Sequence, residues 1–218
     1  MGSDVRTDVR GRTVITHVPA CYDGSADIRY PVVYLLHGAG TDATQWLDVG
    51  ATTTSDELTQ RHQIGASILV MPDRVDMSVA DAAADLVQRI IPWADTTFRT
   101  LADRSHRVIG GISRGGEEAL LAAVEHPELF AAVAAHSATL PVSAANLAGR
   151  LQPFAGQIWL DVGDGDGLAP EVTALGNALS LRGIAHQLKV SPGRHDRPYW
   201  RAHMPEYIDF DAARWRKP

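Results

Sequence analysis

Short apolar runs rich in β-branched residues recur along the chain, spaced so that a helix fits between most neighbours. "TVITHVP" (13–19), "YPVVYLLHG" (30–38), "ASILVMP" (66–72), "HRVIGGIS" (106–113), "FAAVAAHSA" (130–138), "QIWLDVG" (157–163) and "HQLKVSPG" (186–193) read as strands. Helical patterns cover 79–98, 115–130, 169–183 and 198–215. Strands alternating with helices predict an α/β fold, an open and mostly parallel central sheet with helices on both faces. In such sheets functional groups gather beyond the carboxyl ends of the strands.

The residues at those ends are the ones that carry chemistry. They are His37-Gly38-Ala39-Gly40, Pro72-Asp73-Arg74, Gly111-Ile112-Ser113-Arg114-Gly115, His136-Ser137, Gly163-Asp164-Gly165-Asp166 and Pro192-Gly193-Arg194-His195-Asp196. In "GISRG", Gly111 and Gly115 flank Ser113 at the G-x-S-x-G spacing of a nucleophile elbow, with a strand before and a helix after. A strand that becomes a helix within so few residues leaves no room for side chains beside the serine. The elbow also presents the Arg114 amide, at the helix start, to a developing oxyanion. "GGISRGG" has neither the Lys-Ser/Thr ending of a phosphate-binding P-loop nor the register of a dinucleotide fold.

A serine hydroxyl needs a histidine base, itself oriented by a carboxylate. Among nine histidines, His195 follows the last predicted strand in a Gly-rich loop before the final helix. His203 and His126 fall in or at the end of helices, and His186 opens a strand at the wrong end. "WLDVGDGDGL" offers Asp161, Asp164 and Asp166 as the orienting acid. Asp161 lies within the strand and Asp164 within the turn, so Asp166 is the predicted partner, giving the order Ser, Asp, His. A second oxyanion donor is expected from the amide of Ala39 or Gly40, with His37 shaping the loop and meeting substrate and Trp46 near the acyl pocket. Trp200 is expected behind His195, and Trp93 and Trp159 in the core.

Composition narrows the partners. At 218 residues and 45% hydrophobic, the chain is expected to form a single domain spanning 1–218. A net charge of −6 argues against nucleic acid or an anionic membrane surface, and the basic tail from Arg214 to Lys217 is expected to be solvated. Cys21, in front of the turn "YDGSAD", excludes an intrachain disulfide and lacks the surroundings of a reactive thiol. No apolar run approaches membrane-span or signal length, so the expectation is a soluble chain, cytoplasmic or secreted after signal removal. The scattered histidines match no metal-ligand spacing, and neither metal nor cofactor is expected.

With these residues in view, the chain resembles the esterase family of α/β-hydrolases that includes esterase D, enterochelin esterase and antigen 85. "TVITHVPACYDGSADIRYPVVYLLHGAGTDATQW" is similar to the family's opening strands and oxyanion loop. "RIIPWADTTFRTLADRSHRVIGGISRGGEEALLAAVEHPELFAAVAAHSA" is similar to its central helix and elbow, and "SPGRHDRPYWRAHMPEYIDF" to its histidine loop and last helix. The resemblance implies an α/β-hydrolase fold and serine carboxyl-ester hydrolysis through Ser113, Asp166 and His195, by way of an acyl-enzyme. The implied substrate is a small-molecule or polymer-attached ester, since family members take siderophore lactones, feruloyl esters, thioesters and mycolyl esters.

The chain departs from the family twice. Arg114 stands where an uncharged residue is usual, and an ion pair with Glu117, Glu118 or a nearby aspartate is the expected role of its side chain, ahead of a contact with a substrate carboxylate. The stretch "TLPVSAANLAGRLQPFAG" is short for a region that often carries a lid, which predicts an open cleft that Arg74 either lines or leaves to a solvated turn. An acyltransferase with the same triad, or a catalytically silent binding protein on the same fold, are the alternatives to hydrolysis.

Overall fold

The computed structural model describes residues 1–24, 27–74 and 76–216, so Ser25 and Ala26 of the turn after Cys21, Val75, and Lys217 of the basic tail lie outside it. Eight strands form one sheet: β1 (Ser3–Asp8), β2 (Thr13–Val18), β3 (Val32–Leu36), β4 (Ile68–Pro72), β5 (Arg107–Ile112), β6 (Ala132–His136), β7 (Gln157–Gly163) and β8 (Gln187–Ser191). Their order is β1-β2-β4-β3-β5-β6-β7-β8. The pairings of β1 with β2 and of β2 with β4 are antiparallel, and those from β4 through β8 are parallel. The helices are α1 (Gln45–Asp48), α2 (Ala51–Gln60), α3 (Val79–Asp85), α4 (Ile91–Thr97), α5 (Arg114–Glu125), α6 (Ala144–Arg150), α7 (Ala169–Leu181) and α8 (Arg197–Ala212).

Alternation along the central strands splits their side chains between two cores. Val32, Tyr34, Leu36, Ile109, Val133 and Leu160 meet α3 to α7 on one face. Val33, Leu35, Val108, Ala132, Ala134 and Trp159 meet α1, α2 and α8 on the other. Period-2 strands buried on both faces read as continuous apolar runs, which is why these elements are visible in sequence.

Three features escape that pattern. Strand β1 (SDVRTD) is almost wholly exposed, so no apolar periodicity marks it; it is held by its ladder to β2 from Ser3↔Val18 to Asp8↔Thr13. Its charged residues suit an edge strand, which must not template further pairing. The single helix expected over 79–98 is instead α3 and α4 joined by a π turn, Leu86–Ile90. Pro92, in the first turn of α4, cannot donate to the preceding turn, and the wider π turn absorbs the lost bond. Arg214, at the start of the basic tail, is docked rather than solvated: its guanidinium donates to Gln157 and lies 5.9 Å from the Phe210 ring.

Candidate active site

Ser113 stands between β5 and α5 with φ 56° and ψ −120°, a backbone region that non-glycine residues rarely enter. The glycines around it follow from close backbone packing. A Cβ on Gly111 would lie 2.1 Å from the Gly115 carbonyl oxygen, one on Gly115 2.2 Å from that of Leu36, and one on Gly116 2.7 Å from the Ala138 Cβ. The serine is fixed through its backbone, its amide donating to the His136 carbonyl at 2.8 Å and its carbonyl accepting from the Gly116 amide at 2.9 Å. Its side chain makes no cap bond to the helix it starts. Instead Ser113 Oγ donates to His195 Nε2 at 3.0 Å.

His195 enters from the loop after β8, and its Nδ1 donates to Asp166 Oδ2 at 2.8 Å. Asp166 is buried, and its other oxygen accepts the Leu168 amide at 2.9 Å, which holds the carboxylate in one orientation. The two loops meet glycine on glycine. A Cβ on Gly163 would lie 2.5 Å from the Gly193 carbonyl oxygen and one on Gly193 2.3 Å from Tyr199, while the Gly165 amide donates to Gly193 at 2.8 Å. Asp164 belongs to this junction, accepting the Gly193 amide at 3.1 Å, and does not reach His195. The Trp200 ring stands edge-on to His195 at 5.1 Å, and its Nε1 donates to Ser137 Oγ at 3.2 Å.

Asp161 lies deeper, fully buried, and serves a different purpose. Its carboxylate accepts from Tyr199 Oη at 2.7 Å, Tyr207 Oη at 3.1 Å and His136 Nδ1 at 2.9 Å. Burial, and after it the Asp161 charge, raise the pKa of both phenols, so the tyrosines remain donors. Both sit on α8, the helix that follows His195, and thus tie it to β6 and β7. Ser137, held in turn by its amide bond to the Asp161 carbonyl at 2.7 Å, was visible in sequence only as a strand-end residue beside His136.

On the other flank is the loop after β3. Gly38 faces the nucleophile: a Cβ there would lie 3.4 Å from that of Ser113. Its amide donates to Gln45 Oε1 at 2.7 Å, whereas the exposed Ala39 and Gly40 and the first-turn Arg114 make no amide hydrogen bond among the described residues. Gln45 is a buried support that sequence reading did not single out. His37 is 3% exposed and cannot meet a substrate as expected; it braces the loop, its Nδ1 donating to the Gly38 carbonyl at 2.8 Å and its Nε2 accepting the Arg74 amide at 3.1 Å. Burial, then the nearby Arg74 cation, lower its pKa, which matches this neutral tautomer. Trp46 is likewise not at an acyl pocket. It is fully buried, edge-on to His136 at 6.3 Å, because its large apolar ring turns α1 toward the core.

The family model described as "Putative esterase" matches residues 9–209. The chain belongs to this family. It has the α/β-hydrolase fold. This esterase is 35% identical over 113 residues to an endo-1,4-beta-xylanase/feruloyl esterase of Xylanibacter ruminicola, a match covering 47% of this chain and 16% of that protein. It is 30% identical over 123 residues to esterase Rv1288 of Mycobacterium tuberculosis, covering 50% of this chain and 25% of the relative. This esterase therefore spans well under two thirds of the curated relatives it matches. Among solved structures, a ferulic acid esterase superposes with a TM-score of 0.85 at 21% identity, covering 97% of both chains. The enterobactin esterase of Shigella flexneri superposes with a TM-score of 0.75 at 19% identity, covering 96% of this chain and 58% of that one.

The cleft walls of this esterase differ from the sequence expectation in their ion pairs. Arg74 neither lines the cleft nor sits in a solvated turn; its buried side chain pairs with Glu118 at 2.8 Å. Burial pushes the Glu118 carboxyl up to about 7 against the opposing pull of Arg74 and, more weakly, of Arg12 and Arg114. Glu117 accepts from Thr139 Oγ1 at 2.6 Å. With both glutamates engaged elsewhere, Arg114 makes no ion pair among the described residues, and its Nη2 donates to the Met77 carbonyl. The lid-like stretch after β6 folds down: α6 buries Leu147 and Ala148 in the core, and residues 139–142 are partly exposed.

Proposed function

We propose that this esterase cleaves its substrate in two steps through Ser113, His195 and Asp166. Ser113 Oγ attacks the ester carbonyl as His195 Nε2 takes its proton. The resulting imidazolium is held by Asp166 and returns the proton to the departing alkoxide, leaving an acyl-serine. Water, deprotonated by His195, then attacks the acyl-serine and releases the acid and the free enzyme. The amides of Arg114 and of Ala39 or Gly40, which make no hydrogen bond among the described residues, would carry the oxyanion; removing one such donor typically costs about 100- to 1,000-fold in rate.

The observation that carries this reading is the unbroken hydrogen-bond chain at 3.0 and 2.8 Å ending on a strained serine. A silent binding protein would have no need to hold a serine in that conformation. The relatives named for feruloyl ester cleavage, together with the folded-down lid segment, support an open cleft that accepts aryl-acyl esters such as hydroxycinnamates. The test is hydrolysis of p-nitrophenyl esters of graded acyl length and of methyl ferulate by the protein and its Ser113→Ala variant. Turnover lost with Ser113, together with fluorophosphonate labelling of that residue, is the expected result. Turnover that persists in Ser113→Ala overturns the assignment.

A further inference from the structure

The proposed hydrolysis uses the backbone of Arg114 and leaves its guanidinium idle, although that cation starts one residue from the nucleophile. The side chain is partly exposed and crosses to the loop after β4, where Nη2 donates to the Met77 carbonyl. Three carboxylates on this side are engaged elsewhere, and Asp76, beside Met77, is exposed. Glu118 pairs with Arg74 at 2.8 Å, Asp85 with Arg12 and Arg89, and Glu117 accepts from Thr139. Nε and Nη1 of Arg114 make no hydrogen bond among the described residues and are not buried.

The order of the strands gives this cation a side. His195 and Asp166 come from the loops after β8 and β7, whereas Met77 lies in the loop after β4, across β5 from them. His195 must protonate the leaving alcohol, so the alcohol lies on the β7–β8 flank and the acyl group extends over the opposite one. We propose that Arg114 binds a carboxylate at the far end of the acyl chain, so that this esterase prefers half-esters of dicarboxylic acids over neutral esters of equal length. The inference rests on the hydrolytic reading above and assigns a substrate class to that site.

The test compares kcat/KM for monoethyl adipate and ethyl hexanoate, which differ only in the terminal carboxylate. The wild type is expected to favour the adipate, and Arg114→Met to lower the adipate-to-hexanoate ratio about tenfold or more. Arg114→Lys should retain the larger part of the ratio, because it keeps the charge while losing the bond geometry to Met77. A ratio unchanged within twofold in Arg114→Met overturns the proposal, as does an equal loss in Arg114→Lys. Adipate binding to Ser113→Ala, followed by titration calorimetry, reads the anion site without turnover and should weaken about tenfold when Arg114→Met is added. If neither ester is hydrolysed while adipate binds through Arg114, the hydrolytic reading fails and the anion site stands. If both esters are hydrolysed at a ratio indifferent to Arg114 and adipate does not bind, the reverse holds.

Discussion

Asp161 and Asp166 lie five positions apart and both hold a histidine, yet their removal should have opposite consequences. Asp161→Ala would strand three buried donors: Tyr199 Oη, Tyr207 Oη and His136 Nδ1. Each buried donor left without an acceptor costs about 1–3 kcal/mol, and the lost carboxylate also leaves a void. The expected loss, on the order of 5 kcal/mol, is a large share of the roughly 5–15 kcal/mol that holds a domain folded. It corresponds to a melting temperature lower by about 10–20 °C. Asp166→Asn can keep the bond from the Leu168 amide and sits against a histidine whose side chain is 35% exposed, so its stability should change by about 1 kcal/mol or less. Its turnover, in contrast, should fall by roughly four orders of magnitude. Urea unfolding followed by tryptophan fluorescence, with turnover measured on the folded fraction, separates the two. Wild-type stability in Asp161→Ala, or turnover loss there matching that of Asp166→Asn, would refute the division of roles.

Three further outcomes are expected. Ser113→Gly should be more stable than Ser113→Ala by about 1–3 kcal/mol, since glycine adopts φ 56° without strain; equal unfolding midpoints would mean that no strain is stored. Asp211 is fully buried with both oxygens unbonded among the described residues, and burial pushes its carboxyl up to about 7 from 3.8. The folded state then holds a proton that the unfolded chain releases, so stability should drop on the order of 3 kcal/mol as pH rises from about 4 to about 7. Asp211→Asn should flatten that slope in melting curves, and an unchanged slope counts against it. Trp200→Phe keeps a ring beside His195 but loses the donor to Ser137; kcat should fall about tenfold with KM within twofold, and a KM effect alone would speak against a positioning role.

The parallel half of the fold is legible because strands β3 to β7 are apolar on both faces, and the intervening helices carry their own period. Strand β1 is illegible for the converse reason: SDVRTD buries almost nothing, and backbone pairing alone recruits it. At the site, G-x-S-x-G can be read because its glycines answer a local steric demand. Which aspartate faces His195 depends on Gly163 and Gly165 packing against Gly193, a contact between segments about thirty residues apart that leaves no periodic trace. Trp46 was misplaced because nearness in sequence to a loop does not say which way a short helix turns. The ion pair expected for Arg114 fails because Arg74, distant in sequence, reaches Glu118 instead.

The hub at Asp161 also bears on how such a molecule can change over generations. Because two tyrosines of α8 anchor the frame behind His195 from below, the rims of the cleft at Met77 and 139–142 bear little of the burden of alignment. Substitutions on those rims can therefore retune which acyl group is admitted while the proton-transfer geometry is inherited intact. Divergence of substrate range should accumulate at the rims and stall at α8, where a single lost hydroxyl would be felt by stability before it was felt by selectivity.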